Sequence, residues 1–349
     1  MNPMVFAILL SSLGLGTALT FASSHWLLAW MGLEINTLAI LPLMTQHHHP
    51  RAIEATTKYF LTQATAAAMI LFASTTNAWM SGEWDIHQLS HPVAAAVALM
   101  ALALKIGLAP VHFWMPEVIQ GLDLTTGLLL STWQKLAPFA LVVQVAPFAH
   151  PAMLTTLGVL STLIGGWGGL NQVQLRKVLA YSSIAHLGWM VLVLQFAPSL
   201  TLLALVVYIL MTASAFLTFN VVQSTSVSVL ATAWAKAPAL VALTSLVLLS
   251  LGGLPPLTGF MPKWLILQEL TKQGIPLVAT LAALTALLSL YFYLRLCYAM
   301  SLTTSPNTTL ATAPWRVCTL RPSLPLSATS VAALALLPVT PAFATFFGL

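Results

Sequence analysis

Of the 349 residues 59% are hydrophobic and 5% are charged, against roughly 25% charged residues in a soluble globular chain. Seven acids and twelve bases cannot coat a soluble protein of this length, so lipid must be the solvent over most of its surface. The net charge of +5 is carried by scattered cations that form no basic patch, which excludes nucleic acid as a partner.

A spanning helix needs about 20 mostly apolar residues. Runs between Pro, Gly and polar breaks predict eleven such segments: 3–22, 25–44, 52–80, 92–121, 124–147, 151–170, 174–195, 199–223, 237–272, 275–300 and 324–346. The alternating pattern of a membrane β-barrel is absent. The predicted class is therefore an all-α polytopic membrane protein. The first run has no charged or Arg-rich leader, so it reads as a retained helix and not a cleaved signal.

Taken in chain order, the second run carries Glu34 at its midpoint, within WLLAWMGLEINTLAILPL. His47, His48 and His49 follow on a loop, and consecutive histidines there read as solvated interface. Glu54 and Lys58 begin the third run at i,i+4 spacing and predict an ion pair on the helix surface. The fourth run holds Lys105 at mid-depth, then Pro110 and His112. Lys135 lies midway along the fifth, and His186 lies midway along the seventh beside Ser182 and Ser183. The ninth contains Pro256 and, just beyond it, Lys263. Glu117, Asp123 and Glu269 lie near helix ends, where charge is cheap. The stretch 302–322 is the least hydrophobic and reads as an interfacial loop anchored by Trp315. Its Asn307-Thr308-Thr309 fits a glycosylation pattern that is without meaning on the interior side. Cys297 and Cys318 show no metal spacing and read as inert thiols.

The fourth and ninth runs are too long for one simple span. At an offset of 146 residues, Gly107 to Glu117 aligns with Gly253 to Lys263, and five of the eleven positions are identical: both members of Gly-Leu, then Pro, then Met-Pro. Separated by five steps, the two copies are expected to run in opposite directions, as an inverted repeat. Each proline removes a backbone donor and clashes with the preceding turn. A helix broken at membrane depth is tolerated only inside protein or beside a water-filled cavity. Transporters handle ions at such breaks; proline kinks with a purely structural role are the alternative. The repeats are expected at about 1–147 and 151–300, with a C-terminal helix at 324–346.

Glu34, Lys105, Lys135 and Lys263 each cost about 2.5–3.5 kcal/mol at mid-membrane, so four cost on the order of 10 kcal/mol. Lysines at the centre of a span cannot reach an interface by snorkelling. Pairing offsets part of the cost, and Lys105 is the expected partner of Glu34. Such a pair is either a static salt bridge or a site of proton exchange. His186 and His112 are either proton relays or neutral histidines hydrogen-bonded in the bundle. No nucleotide loop, nucleophilic triad, zinc pattern or haem ligand pair stands out. Arg51, Arg176, Lys177, Lys236, Arg316 and Arg321 fall in one set of loops. That set shares a side with the N-terminus, and the positive-inside bias orients it to the interior compartment; eleven spans put the C-terminus on the other side.

These segments resemble the antiporter-like membrane subunits of respiratory complex I, which are related to cation/proton antiporter subunits. The residues that carry the resemblance are HWLLAWMGLEINTLAILPLM, KYFLTQATAAAMILF, LKIGLAPVHFWMPEV, STWQKLAPF, RKVLAYSSIAHLGWM and GGLPPLTGFMPKW, and it covers essentially the whole chain. It implies two five-helix inverted repeats with flanking helices, in a form shortened by three N-terminal helices. It implies that Glu34 is the carboxylate of the first repeat, Lys105 the lysine paired with it, Lys135 the central lysine and Lys263 the lysine of the second repeat. It further implies residence in the mitochondrial inner membrane, with the N-terminus on the matrix side and the C-terminus on the intermembrane-space side. The implied partners are other complex I membrane-arm subunits, antiporter-like ones among them, and lipids such as cardiolipin. The chain would hold no cofactor: NADH, FMN, iron–sulfur clusters and ubiquinone belong to other subunits. A stand-alone antiporter and a scaffold with inherited charges are the rival readings.

Overall fold

The computed structural model describes residues 2–46, 48–235, 237–301 and 324–346. His47, Lys236, Cys318, Arg316, Arg321 and the expected interfacial loop with Asn307 and Trp315 lie outside the described residues. Those described fold into helices, with two isolated β-bridges, His25 to Asp85 and Gln174 to Ser226. The helices are α1 (Pro3–Ala22), α2 (Trp26–Met44), α3 (Pro50–Ser81), α4 (Pro92–Ile106), α5 (Trp114–Gly121), α6 (Leu124–Ser131), α7 (Trp133–Val145) and α8 (Pro151–Gly169). There follow α9 (Leu175–Leu194), α10 (Pro198–Val222), α11 (Val227–Thr232), α12 (Pro238–Gly252), α13 (Phe260–Lys272), α14 (Pro276–Ser301), α15 (Leu324–Ala335) and α16 (Thr340–Phe346).

Among the described residues, seven stretches are long and apolar enough to cross a membrane: α1, α2, the α6–α7 stretch Leu124–Phe148, α8, α9, α10 and α14. The other predicted runs survive in altered form. The third is α3, the longest helix here at 32 residues, whose Gln, Thr and Asn content makes it more polar than the seven. The fourth and ninth break as expected. The 15 residues of α4 and of α12 rise about 22 Å each, short of a hydrocarbon core of about 30 Å, so the loop and second half-helix must cover the remaining depth. The fifth run also breaks, at Thr132, which the sequence reading did not foresee. Pro138 lies inside α7 and denies Gln134 its helical donor one turn after that break.

Contacts divide the chain into two compact units, Met1–Ser161 and Thr162–Leu349. In the first, α1 and α2 approach closely at Gly16 and Gly32: a Cβ on either would lie 2.9 Å from the other's carbonyl oxygen. Small residues at such crossings let membrane helices pack by van der Waals contact, lipid offering no hydrophobic drive between them. α3 packs on α2, α4 and α5, and α7 packs on α1, α2 and α4. In the second unit α10 packs on α9, α12, α13 and α15, while α14 packs on α12 and α13.

Candidate functional site

The first unit's break begins where Gly107 closes α4 in the left-handed region, φ 86°. Its N–H and that of Leu108 both return to the Ala103 carbonyl, at 2.9 Å each, so orphaned carbonyls at the helix end are partly satisfied. A cis Ala109–Pro110 bond follows, and the Ala109 N–H donates to the Ser161 hydroxyl at 3.0 Å. His112 is buried in this loop, its ring against Phe113, and its Nδ1 has no hydrogen-bond partner. The Trp114 indole, opening α5, donates back to the Leu104 carbonyl at 2.9 Å.

Lys105 therefore stands in the last turn of α4, where the helix end carries about half a negative charge. Its Nζ is buried and has no hydrogen-bond partner. Lys135 stands in the first turn of α7, just past the Thr132 break, and is also buried. Both lysines line one cavity of about 10 Å³, the room of a single water molecule. The other polar side chains lining it are Asn36, whose buried amide has no hydrogen-bond partner, Thr37, Tyr59, Gln63 and Gln134. Gln63 donates to the Lys105 carbonyl at 3.5 Å and Gln134 to the Asn36 carbonyl at 3.1 Å.

Glu34 is half-buried on α2. The expected ion pair with Lys105 is not formed: no Glu34 ion pair within 4.0 Å is found among the described residues. Its carboxylate instead accepts from the Thr37 hydroxyl at 2.9 Å. α2 carries Glu34 and Thr37 three residues apart, nearly one turn, which makes their side chains neighbours on one helix face.

The second unit repeats the break with different chemistry. Gly253 closes α12 at φ 79°, its N–H bonds the Ser250 carbonyl at 2.9 Å, and a cis Pro255–Pro256 bond follows. Lys263, in the first turn of α13, folds back to donate to the Gly252 carbonyl at 2.7 Å. Each unit thus brings a lysine to the C-terminal end of its broken helix, from within α4 in one and from beyond the break in the other. His186 shares a mostly apolar cavity with Lys263, Met211 and Trp189, and its Nδ1 meets the Ser182 carbonyl at 2.7 Å.

At its exposed start α3 forms the expected Glu54–Lys58 pair at 2.8 Å. Lys58 also reaches Glu117 on α5 at 2.8 Å, which the sequence did not reveal. His49 caps α3, its Nδ1 accepting from the Arg51 N–H at 3.2 Å. Arg295, near the end of α14, was also passed over; it donates to the Leu170 carbonyl at 2.6 Å. Its signal was a charge within an apolar run, the same signal that marked the lysines.

Residues 23–289 match the family model for the membrane-spanning part of NADH:quinone oxidoreductases and Mrp antiporters. Residues 290–344 match the model for the C-terminus of NADH dehydrogenase subunit 2. NADH-ubiquinone oxidoreductase chain 2 of Oncorhynchus mykiss is 74% identical over the whole of both chains. The chain belongs to the NADH-ubiquinone oxidoreductase chain 2 family. The Danio rerio chain 2 is 67% identical, covering 98% of each chain. Among solved structures, a chain of respiratory complex I from Thermus thermophilus superposes with a TM-score of 0.83 at 32% identity, covering 97% of this chain and 79% of that one. A chain of the Mrp complex from Dietzia shares the fold, with a TM-score of 0.82 at 17% identity over 97% of this chain and 76% of that one. The all-α, antiporter-like membrane fold expected for this chain from its sequence is the one found.

Proposed function

We propose that the chain is a core membrane-arm subunit of proton-translocating NADH:ubiquinone oxidoreductase and contributes a mid-membrane proton path of buried lysine and glutamate residues. The observation that carries this reading is the pair Lys105 and Lys135 on the wall of one small polar cavity, at a depth where each charge costs about 2.5–3.5 kcal/mol. Lys135 holds and passes on a proton, Glu34 and Lys105 modulate its affinity, and Lys263 with His186 serves the second unit. His112 borders the first break. Electron transfer, with NADH, FMN, iron–sulfur clusters and ubiquinone, belongs to other subunits, and this chain performs no redox step. Its membrane is the mitochondrial inner membrane. On this reading, supported by the bias of cationic loops toward one side, the N-terminus faces the matrix and the C-terminus the intermembrane space. Its partners are the neighbouring membrane-arm subunits and anionic lipids such as cardiolipin.

Lys135→Met in the assembled complex tests the reading, with protons moved per NADH oxidised as the measurement. A fall in that ratio is the expected result; an unchanged ratio removes Lys135 from the path.

A further inference from the structure

Glu34 does not touch Lys105, so a proton moving between them needs a carrier. Thr37 is the only residue that both bonds the Glu34 carboxylate and walls the lysine cavity among the described residues. Its hydroxyl is buried and donates to Glu34 Oε2 at 2.9 Å, sharing its hydrogen with the Glu34 carbonyl, also at 2.9 Å. A hydroxyl that donates in one direction keeps lone pairs for accepting from another. Lining the same cavity is Lys105, whose buried Nζ has no hydrogen-bond partner and offers three N–H donors. A cavity the size of one water, lined by several polar groups including the unpartnered Asn36 amide, meets the conditions for a buried water.

We infer that Thr37 is a proton relay, joined to Lys105 by a single water bound in this cavity. The transfer balances without any further reactant. The Lys105 ammonium gives a proton to the water, the water gives one to Thr37 Oγ1, and Thr37 gives its own hydroxyl proton to Glu34 Oε2. One N–H bond breaks and one carboxyl O–H bond forms, water and threonine are regenerated, and the opposite charges on Lys105 and Glu34 vanish together. The reverse transfer restores both charges. The Glu34–Lys105 couple thus switches without the two side chains meeting. This rests on the proton-path reading above.

The test places Thr37→Val, Thr37→Ser, Glu34→Gln and Lys135→Met in the assembled complex in sealed vesicles and measures protons moved per NADH oxidised. The expected result is loss of translocation in Thr37→Val to the level of Glu34→Gln, with recovery in Thr37→Ser, whose hydroxyl remains. Wild-type translocation in Thr37→Val, with losses in Glu34→Gln and Lys135→Met, overturns the relay and leaves the path standing. Wild-type values in all four overturn the path itself. Where Thr37→Val fails to assemble, the wild-type complex decides: an ordered water within hydrogen-bond distance of both Thr37 Oγ1 and Lys105 Nζ supports the relay, and its absence from a well-resolved cavity overturns it.

Discussion

Gly253 and Gly82 have nearly the same left-handed backbone, φ 79° and 78°, in very different surroundings. A Cβ on Gly82 would meet nothing within 4 Å, whereas one on Gly253 would lie 2.8 Å from Lys263 Nζ. Alanine at either position carries a backbone cost of about 1–2 kcal/mol. Gly253→Ala must in addition push the Lys263 ammonium off the Gly252 carbonyl. Thermal midpoints of the assembled complex should therefore fall for both variants, while protons moved per NADH should fall for Gly253→Ala alone. Equal translocation in the two would detach Lys263 from the proton path. Residues of this kind divide sharply in legibility. Glu34, Lys105, Lys135 and Lys263 were visible because charge is conspicuous in an apolar run. Thr37 was not, because threonines in membrane helices mostly bond their own backbone, as Thr212 does to the Tyr208 carbonyl and Thr56 to the Ala52 carbonyl. Whether one also meets a carboxylate depends on a rotamer, and only coordinates supply that.

At the scale of elements, the two broken helices were legible because proline and glycine act locally and the aligned segments repeat them at one offset. The break at Thr132 was hidden because Pro138, like Pro42 of α2, lies inside an assigned helix; proline alone does not say which turn opens. The seat of the C-terminal helix was hidden for a different reason. Ser250 donates to the Ala333 carbonyl at 2.7 Å, and Thr258 donates to the Ala332 carbonyl while accepting from the Leu336 N–H, both at 3.2 Å. These two hydroxyls bolt the end of α15 to the second break, a pairing some eighty residues apart that no local pattern encodes. Thr258→Val removes both of its bonds and strands the part-buried Leu336 N–H, at a cost toward the low end of about 1–3 kcal/mol. Thr258→Ser keeps the hydroxyl and should stay near wild type. The thermal midpoint of the assembled complex separates the two variants, and equal midpoints would show that the bolt adds nothing.

At the scale of the described chain, charge and apolar surface trade their usual places. Lys105 and Lys135 are buried while large apolar residues stand outside: Leu61, Phe72 and Trp79 in the first unit, and Leu284, Leu287 and Tyr291 in the second. Composition made this legible from the outset, since the charged residues are too few to form a wetted surface. It could not say which apolar residues face outward, because a helix apolar on every side has no preferred face, and α14 is close to that limit. The fold supplies the missing direction: Leu284, Leu287 and Tyr291 are spaced by three and four residues and form one exposed stripe on α14. If that stripe meets lipid, Leu284→Lys places a charge at mid-span and costs about 2.5–3.5 kcal/mol on insertion scales. Tyr298 is exposed too, but it lies within one turn of the end of α14 at Ser301, where a lysine stem reaches the interface and its charge stays hydrated. The fraction of full-length chain recovered in the membrane should therefore drop steeply for Leu284→Lys and little for Tyr298→Lys. Equal recovery would mean that Leu284 faces water or a polar neighbour, and the reading of this stripe as lipid-facing would be wrong.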